Sequence, residues 1–499
     1  MRLTIKKGEI TKNIEVNRGE NLLAILSGLG YDIGAVCAGK AECFKCKVKI
    51  ISPKTKPSAK DLKGLTDKEL AEGIRLACAT LIEEDTVIEL ESRGEIEVVK
   101  EAGSAKKVFD NKDLTAKHLV VDIGTTTVVA ALVNKAGETI ASVGEKNAQA
   151  PYGADVISRI KYVAEGGLSR LNRLIIDQTN NLIRKLGEGE SLNEVEDITL
   201  VGNTAMLHLF FNRDCSGLGF FPYEGEFLSS QRAMGSDLGL DLNLPVTSLP
   251  NISSFAGSDL TAGILDKYGE GDKFSLLIDL GTNAEIGLFN SKKFFAASAA
   301  AGPAFEGANI KQGMPALPGA ISSFSLINGN IRAETIGNKP AVGICGSGLI
   351  DIVANLLENR LLDETGLLAT GESFEVADDV FIYAQDIREL QLAKAAIATA
   401  VDMLIGAAGL TFDDIEKVYL SGGFGSYINA ANAARIGLIP LELSSKVRAA
   451  GNTGLAGGIM FATDKNKKAL AEKIAASTQY VDLAQSAEFS QKYIEYIMF

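Results

Sequence analysis

The apolar positions of the chain form short runs typical of β-strands, separated by stretches with helical spacing. The run His118–Val133 contains two apolar β segments joined by a polar Asp-Ile-Gly-Thr-Thr-Thr turn, which indicates a hairpin. The same arrangement recurs in Leu276–Phe289, where Asp279 aligns with Asp122. The recurrence predicts an internal duplication that produces two similar lobes facing each other.

Helical stretches precede further β runs in both halves of the chain. They are Asn172–Leu186 before Asp197–Val201, and Glu389–Leu410 before Glu416–Leu420. A Gly-Asn-Thr turn that begins at Gly202 recurs at Gly451, and we interpret it as a second trace of the duplication. Strands that alternate with helices in both halves predict an α/β fold.

The amino-terminal region has a different order of elements. Two strands, a short helix and two later strands are predicted over Arg2–Ile5, Ile14–Val16, Gly19–Gly28, Lys47–Ile51 and Thr86–Leu90, which is a β-grasp order. The charged and small residues of 93–115 predict a linker. We therefore expect one domain over residues 1–92 and a second over 116–499. The first lobe of that second domain should cover about 116–268 and be rejoined by the chain after about 450, with the second lobe at about 269–450.

Composition and charge narrow the class of protein. The formal net charge of −13 argues against binding to nucleic acid, which usually requires a basic surface. No apolar run approaches the roughly 18 residues of a membrane helix, and the residues after Met1 lack the apolar core of a signal peptide. We therefore expect a cytoplasmic protein that binds neither nucleic acid nor a membrane.

Four of the six cysteines lie in the amino-terminal region, at Cys37, Cys43, Cys46 and Cys78. The first three have the spacing C-x5-C-x2-C, and the fourth follows after 31 intervening residues. Four thiolates can hold an iron–sulfur cluster, and plant-type sites have C-x4-C-x2-C with a distant fourth cysteine. A structural zinc site and unrelated thiols are the alternatives, although zinc sites built from four cysteines prefer two C-x2-4-C pairs. Cys215 and Cys345 are most simply buried thiols.

The residues around the first four cysteines resemble [2Fe-2S] ferredoxins of the adrenodoxin or plant type, over roughly residues 1–92. This resemblance implies a β-grasp ferredoxin domain. It also implies that the four thiolates listed above are the ligands of one [2Fe-2S] cluster.

Each Asp-x-Gly-Thr turn has the chemistry of a phosphate-binding loop, because backbone amides and hydroxyl groups can donate to phosphate oxygens. The candidate phosphate residues are Gly124, Thr125, Thr126 and Thr127 in the first turn and Gly281, Thr282 and Asn283 in the second. Asp122 and Asp279 are poorly placed to meet an anion directly, but they can hold Mg²⁺ through water. A single such turn could be an ordinary hairpin turn, whereas two turns facing one cleft would grip a triphosphate from both sides.

The two turns resemble the phosphate 1 and phosphate 2 motifs of the family of actin, hexokinase and the large heat-shock chaperones, over about residues 116–465. The resemblance implies a two-lobed ATPase with a duplicated ribonuclease H-like fold. The adenosine motif of that family, a strand running into a Gly-Gly turn, matches this chain at Gly422 and Gly423. Gly346 and Ser347, at the start of a predicted helix, are a further candidate wall of the nucleotide pocket, although glycine there can serve packing alone.

A ferredoxin-type domain fused to such an ATPase, with Ala300–Gly307 after the second phosphate turn, resembles the reductive activators of corrinoid proteins. The resemblance implies ATP-dependent one-electron reduction of cob(II)alamin to cob(I)alamin in a methyltransferase system. The cofactors would be a [2Fe-2S] cluster, ATP and Mg²⁺. The partners would be a corrinoid protein and an external low-potential electron donor, because the chain has no Gly-x-Gly-x-x-Gly fingerprint for direct use of NADH. A homodimer is compatible with this expectation.

Such a reduction would run uphill, because plant-type clusters have potentials of about −400 mV and the Co(II)/Co(I) couple is expected to lie lower. The alternative function is a small-molecule kinase of the hexokinase type with a redox-sensing ferredoxin domain, since Gly257–Gly263 resembles the sugar-kinase segment that carries the catalytic aspartate. Asp259 would then deprotonate a hydroxyl, or orient a water for hydrolysis in an ATPase. A binding module that uses ATP as a conformational switch without turnover is a third interpretation.

The cysteine set predicts the properties of the purified protein. Prepared without oxygen, it should be brown, contain about two irons per chain and give a rhombic electron paramagnetic resonance signal after one-electron reduction. Cys43→Ser should lose most of the cluster, because one of four thiolate ligands is removed, whereas Cys215→Ser should retain it. One zinc and no iron in anaerobically handled protein would contradict the assignment.

Overall fold

The computed structural model describes residues 1–8, 10–29, 31, 33, 44–90, 115–153, 155–281, 283–422, 428–483 and 486–499. The described residues form two compact units. One contains those within 1–95 and 148–165, and the other contains those within 96–147 and 166–499. Four predicted site residues lie outside the described residues, namely Cys37, Cys43, Thr282 and Gly423, and so does most of the predicted linker.

The first unit is built on a small mixed sheet. Its strands are β1 (Arg2–Lys7), β2 (Ile10–Glu15), β3 (Glu20–Asn21), β4 (Lys47–Ser52), β5 (Ile74–Leu76), β6 (Leu81–Ile82) and β7 (Thr86–Leu90). Its helices are α1 (Leu22–Gly28), α2 (Ala59–Gly64), α3 (Asp67–Ala71) and α4 (Val156–Tyr162). Five strands pair in the order β2-β1-β7-β4-β5, with β1 parallel to β7, while β3 and β6 form a separate pair.

The core of this unit follows from the two periods in its sequence. Leu3 and Ile5 alternate with polar residues along β1, so they share one face of the sheet. Leu22 and Leu26, four residues apart on α1, pack with them in the same buried cluster. The packing of α1 on the sheet agrees with the β-grasp prediction.

The first lobe of the second unit contains a six-stranded sheet. Its strands are β8 (Ala116–Ile123), β9 (Thr127–Asn134), β10 (Thr139–Lys146), β11 (Asp197–Gly202), β12 (Arg232–Met234) and β13 (Pro245–Ser248). The accompanying helices are α5 (Leu168–Gly187), α6 (Thr204–Phe210), α7 (Gly235–Leu238) and α8 (Ser258–Lys267). The strand order is β10-β9-β8-β11-β13-β12, in which β8, β9 and β10 form an antiparallel meander and β11 runs parallel to β8.

The second lobe repeats this plan. Its strands are β14 (Phe274–Leu280), β15 (Ala284–Phe289), β16 (Phe294–Ala299), β17 (Ala320–Ile327), β18 (Asn330–Thr335), β19 (Gly343–Ile344), β20 (Ser373–Ala377), β21 (Val380–Tyr383), β22 (Ile415–Ser421), β23 (Val447–Gly451) and β24 (Thr478–Tyr480). The remaining helices are α9 (Gly346–Glu358), α10 (Ala384–Ala407), α11 (Ala430–Arg435), α12 (Thr453–Thr463), α13 (Lys465–Ser477) and α14 (Ala487–Glu495).

The duplication is visible in the order of the strands. The large sheet of the second lobe runs β23-β22-β14-β15-β16-β24, again with an antiparallel meander, β14 to β16, and with β22 parallel to β14. The segment β22-β14-β15-β16 therefore matches β11-β8-β9-β10 strand for strand. The predicted α/β fold with two actin-like lobes is confirmed.

Two details differ from the expectations. Gly202 ends β11 whereas Gly451 ends β23, and the counterpart of β11 in the second sheet is β22. The repeated Gly-Asn-Thr turn is therefore not a trace of the duplication.

The expected return of the chain to the first lobe after about residue 450 is limited to α12, which packs on β8 and β11. The chain beyond α12 goes to the second lobe, where β24 pairs with β16 and α14 packs on α10.

The helix α10 fills the core of the second lobe. By length and composition it is the one helix among the described residues that could cross a membrane, yet 72% of its most apolar window is buried inside the protein. Leu390, Ile397 and Val401 are among the buried residues that pack against the central sheet. Such burial is typical of the core helix of a soluble protein.

The two lobes meet where α8 and α12 cross. A Cβ atom added to Gly457 in α12 would lie 2.0 Å from the carbonyl oxygen of Ala262 in α8, so the two backbones are in direct contact. The helix α8 touches β11 of the first sheet and β14 and β15 of the second, and α12 covers β8 and β11. This crossing therefore fixes the position of one central sheet relative to the other.

Gly457→Ala should destabilise the protein by ~1–3 kcal/mol, because the added methyl group has no space at the helix crossing. A matched control is Gly406→Ala in α10, where a Cβ would meet no atom within 4 Å. That exposed helical site should gain up to ~1 kcal/mol from the higher helix propensity of alanine. Urea unfolding measures both changes, and equal stabilities of the two variants would show that the crossing is not tightly packed.

Candidate active site

The two predicted aspartates occupy equivalent positions at the ends of the central strands. Asp122 is the next-to-last residue of β8, and Asp279 is the next-to-last residue of β14. Each is followed by its Gly-containing turn and then by the second strand of the hairpin, β9 or β15. The backbone thus places the two turns at the same end of two equivalent hairpins.

A third acid lies directly opposite Asp279. Glu285 is its partner in the antiparallel register of β14 and β15, so both side chains are on the same face of the sheet. In the first lobe the partner of Asp122 in β9 is Val129. Glu285 was not among the predicted site residues. The signal that could have found it is the difference between the two hairpins, because the second has an acid where the first has a valine.

Asp259 joins these residues from the first turn of α8. Its side chain lies close to Gly257, two positions earlier, because a Cβ there would lie 2.6 Å from Oδ1 of Asp259. Oδ1 also accepts a hydrogen bond from the amide of Leu260 at 2.9 Å. Besides burial, the charge of Asp259 raises the pKa of Asp122, Asp279 and Glu285, so the four carboxyl groups influence one another.

The partial burial of these four acids shifts every one of their pKa values upward. Burial raises the pKa of Asp122 to about 7, although a hydrogen bond from Asn452 opposes the rise. Burial also raises the pKa of Asp279 to about 7, with a further contribution from Asp259. The pKa of Asp259 is raised by burial, and that of Glu285 is raised well above its ordinary value by burial and by the charge of Asp259.

Burial and the nearby charge of Asp259 both favour the protonated form of Glu285. Its Oε2 atom is buried and has no hydrogen-bond donor among the described residues, so an ionised oxygen there would be stranded. As a carboxylic acid, Glu285 donates to Asp259 instead, which lowers the pKa of Asp259. A neutral Glu285 therefore orients the Asp259 carboxylate.

The donor set of the cluster suits Mg²⁺. Carboxylate oxygens are hard ligands, and Mg²⁺ retains several of its waters when a protein binds it. No three Asp, Glu, His or Cys side chains in the described part of the chain are close enough together to ligate one ion directly. Burial disfavours the ionised forms of Asp122, Asp259 and Asp279, and a cation placed among them would favour those forms.

Two asparagines that cap helices hold the first hairpin in place. Asn203 accepts from the amide of Met206 at the start of α6 and donates to Oγ1 of Thr125 at 3.0 Å. Asn452 accepts from the amide of Leu455 at the start of α12 and donates to Oδ2 of Asp122 at 2.9 Å. The repeated Gly-Asn-Thr turn thus has a common function, in which one amide group caps a helix and also positions a site residue.

Hydrogen bonds hold the first predicted phosphate turn. The side-chain amide of Asn147 donates to the carbonyl of Gly124 at 2.8 Å, and the backbone amide of Asn147 donates to the carbonyl of Thr126. Thr127 is the first residue of β9. In the second turn, the amide of Gly281 donates to the carbonyl of Asn283 at 3.1 Å. Both turns therefore hold their backbone by short internal or flanking hydrogen bonds.

The candidate nucleotide wall is only partly described. A Cβ on Gly422 would lie 2.8 Å from Oδ1 of Asp279, so the adenosine turn begins next to the acid cluster. At the start of α9, the backbone of Gly346 packs against the carbonyl of Phe305, and Ser347 donates its hydroxyl to the carbonyl of Ser322 at 2.9 Å. Gly346 and Ser347 thus contribute to packing, and a contact with nucleotide stays a prediction.

Two of the predicted cluster ligands lie at one end of a strand pair. Cys46 immediately precedes β4, and Cys78 lies in the 3₁₀ helix that follows β5. These strands are antiparallel partners, and the amide of Ala77 donates to the carbonyl of Cys46 at 2.8 Å. The fold therefore brings these two chain segments together. Cys215 and Cys345 are buried, as predicted, and burial raises the pKa of the Cys215 thiol to about 12.

The chain matches three protein-family models along its length. Residues 5–83 match the 2Fe-2S iron-sulfur cluster binding domain. Residues 118–268 match the RACo middle region, and residues 273–499 match the C-terminal domain of RACo, described as the ASKHA domain.

Two relatives and one solved structure are similar to this chain over most of its length. The corrinoid activation enzyme RamQ of Eubacterium limosum is 32% identical over 78% of this chain and 71% of its own length. The Co(II) methylated amine-specific corrinoid protein reductase of Methanosarcina barkeri is 27% identical over 75% of this chain and 76% of its own length. The solved structure of a reductive activator for corrinoid, iron–sulfur protein superposes with a TM-score of 0.70 at 26% identity, covering 100% of this chain and 98% of that one.

Asp279→Asn should stabilise the nucleotide-free protein in a pH-dependent way. A carboxyl group whose pKa is about 7 when folded and near 3.8 when unfolded costs increasing folding stability as the pH rises between these values. The gain of the variant over the wild type should therefore grow by ~1–3 kcal/mol between pH 5 and pH 8. Urea unfolding without Mg²⁺ and nucleotide measures this difference.

The same substitution should abolish ATP turnover, measured as phosphate release. Asp413→Asn, at an exposed position outside the cluster, is the matched control and should change neither quantity. A gain for Asp279→Asn that is the same at both pH values would mean that the Asp279 carboxyl is not shielded, and normal turnover would remove it from the site.

Proposed function

The chain belongs to the family of reductive activators of corrinoid proteins, and we propose that it uses ATP to drive the one-electron reduction of a corrinoid protein from cob(II)alamin to cob(I)alamin in a methyltransferase system. The observation that carries this proposal is a single chain that joins a 2Fe-2S domain to a duplicated cleft with a shared acid cluster. The 2Fe-2S domain would supply electron transfer, and the duplicated cleft would supply ATP turnover.

The cleft residues have distinct roles in this proposal. Asp122 and Asp279 hold hydrated Mg²⁺, and the turns that follow them bind phosphate oxygens. Asp259, oriented by the neutral acid of Glu285, accepts a proton from the attacking water or aligns it. Asn203 and Asn452 tie the first hairpin to α6 and α12, the helices that they cap.

The [2Fe-2S] cluster would be held by Cys37, Cys43, Cys46 and Cys78 and would supply one electron at a time. The 2Fe-2S match and the shared position of Cys46 and Cys78 at one end of β4 and β5 support this ligand set. An external low-potential donor must then reduce the protein. We further propose a cytoplasmic location, no binding to nucleic acid or membrane, and a homodimer as the form to test first.

The alternative, a small-molecule kinase of the hexokinase type, is not favoured. Asp259 at the start of α8 would suit a kinase as well as an ATPase, so the site geometry alone does not separate them. The two relatives described above, which match most of the chain, are named for activity on corrinoid proteins. This argument from relatives decides between the two chemistries.

The decisive test combines a corrinoid protein in the Co(II) state with an artificial low-potential donor and MgATP. Cob(I)alamin, followed by its absorption, should accumulate with the wild-type chain and largely fail to accumulate without ATP. Cys43→Ser should still release phosphate from ATP but reduce no cobalt, and Asp279→Asn should lose both activities, because hydrolysis drives the uphill step. Equal reduction of cobalt with and without ATP would overturn the proposed coupling.

A further inference from the structure

A glutamate of the second lobe reaches the first phosphate turn. The hydroxyl of Thr126 donates to Glu306, with Oγ1 at 3.2 Å from Oε1 and 3.3 Å from Oε2. Thr126 belongs to the turn between β8 and β9, whereas Glu306 ends the 3₁₀ helix Pro303–Glu306 that follows β16. The hydrogen bond therefore joins the two lobes at the turn where the sequence predicts a bound phosphate.

The backbone that carries Glu306 is firmly held in the second lobe. The preceding residue, Phe305, is 2% exposed and lies in the core cluster of that lobe. The following residue, Gly307, has a φ of 78°, and a Cβ there would lie 2.5 Å from the amide nitrogen of Met314. The helix α9 also packs on this segment, with Gly346 against the carbonyl of Phe305. Glu306 is thus presented to the cleft by a rigid support.

A phosphate at the first turn and the Glu306 carboxylate compete for the same hydroxyl. Both are anions, and two negative charges at hydrogen-bonding distances repel strongly in a shielded cleft. The neighbouring Thr125 accepts a hydrogen bond from Asn203 within its own lobe. The hydroxyl of Thr126 is engaged across the cleft by an acid.

We propose that the hydrogen bond from Thr126 to Glu306 is a latch, which holds the two lobes together across the cleft until the terminal phosphate of a nucleoside triphosphate displaces Glu306 from Thr126. This inference rests on the proposed function, since it places ATP between the lobes. Arrival of the phosphate replaces a direct bond between the lobes with one that passes through the nucleotide. The state of the lobe contact then depends on whether the triphosphate is present.

The test measures binding of a non-hydrolysable ATP analogue with Mg²⁺ to the full chain by calorimetry. A latch that is closed about nine tenths of the time lowers the apparent affinity about tenfold, so Glu306→Ala should bind the analogue about tenfold more tightly than the wild type. Glu306→Gln keeps an acceptor for Thr126 but removes the charge, and it should give a smaller gain. Glu375→Gln, which removes an exposed acid on β20, is the charge-matched control and should bind like the wild type.

A second measurement follows hydrogen exchange of the peptide that contains Thr126. Without nucleotide it should exchange faster in Glu306→Ala than in the wild type, and with saturating analogue the two proteins should exchange alike. If Glu306→Ala does not fold, Glu306→Gln carries the same comparison, with circular dichroism as the check of folding.

The outcomes separate this proposal from the one on which it rests. Unchanged or weaker binding of the analogue by Glu306→Ala, with slower turnover at saturating ATP, would mean that Glu306 acts on the bound nucleotide and would overturn the latch. No binding of the analogue by the wild type would overturn the proposed ATP site itself.

Discussion

The close crossing of α8 and α12 is the contact on which the site depends. Because Gly457 lets α12 approach the backbone of Ala262, the two helices can pack directly between the central sheets. The amino end of α8 then brings Asp259 to the acids of the second lobe, and the amino end of α12 brings Asn452 to Asp122. A wider separation of the helices would leave each aspartate in its own lobe without the others. The site therefore results from a packing constraint that lies outside it.

The acid cluster destabilises the folded protein locally, and a bound cation would reduce this destabilisation. Four carboxyl groups with raised pKa values share one shielded region, which disfavours their ionised forms. Proteins retain such unfavourable arrangements where the strain serves binding or catalysis. Here protonation of Glu285 reduces this unfavourable free energy, because it removes one negative charge from the cluster. Bound Mg²⁺ would offset much of the remainder.

The parts of the fold that were predictable from the sequence are those with a local signal. The two hairpins were found because their apolar runs and their Asp-x-Gly-Thr turns are contiguous, and the strand order confirms the duplication. The assignment of Glu285 required the register of β14 and β15, and the bond between Asn452 and Asp122 spans 330 positions. The Gly-Asn-Thr turns were wrongly interpreted as a trace of the duplication for the same reason, because the same helix cap can form wherever a strand leads into a helix. Short motifs thus predicted local geometry, whereas the pairing of motifs across the lobes depends on tertiary packing.

The free energy available from the lobe contact sets a limit on how ATP can drive electron transfer. A ligand shifts an equilibrium only by the difference in its affinity for the two states. A latch that changes affinity about tenfold corresponds to ~59 mV for a one-electron step, because that is the potential equivalent to a factor of ten. A larger uphill gap requires further contacts that differ between the nucleotide-free and nucleotide-bound cleft. The acid cluster is one source of such differences, since Mg²⁺ bound there would favour the ionised carboxylates, and α8 and α12 connect the cluster to both lobes.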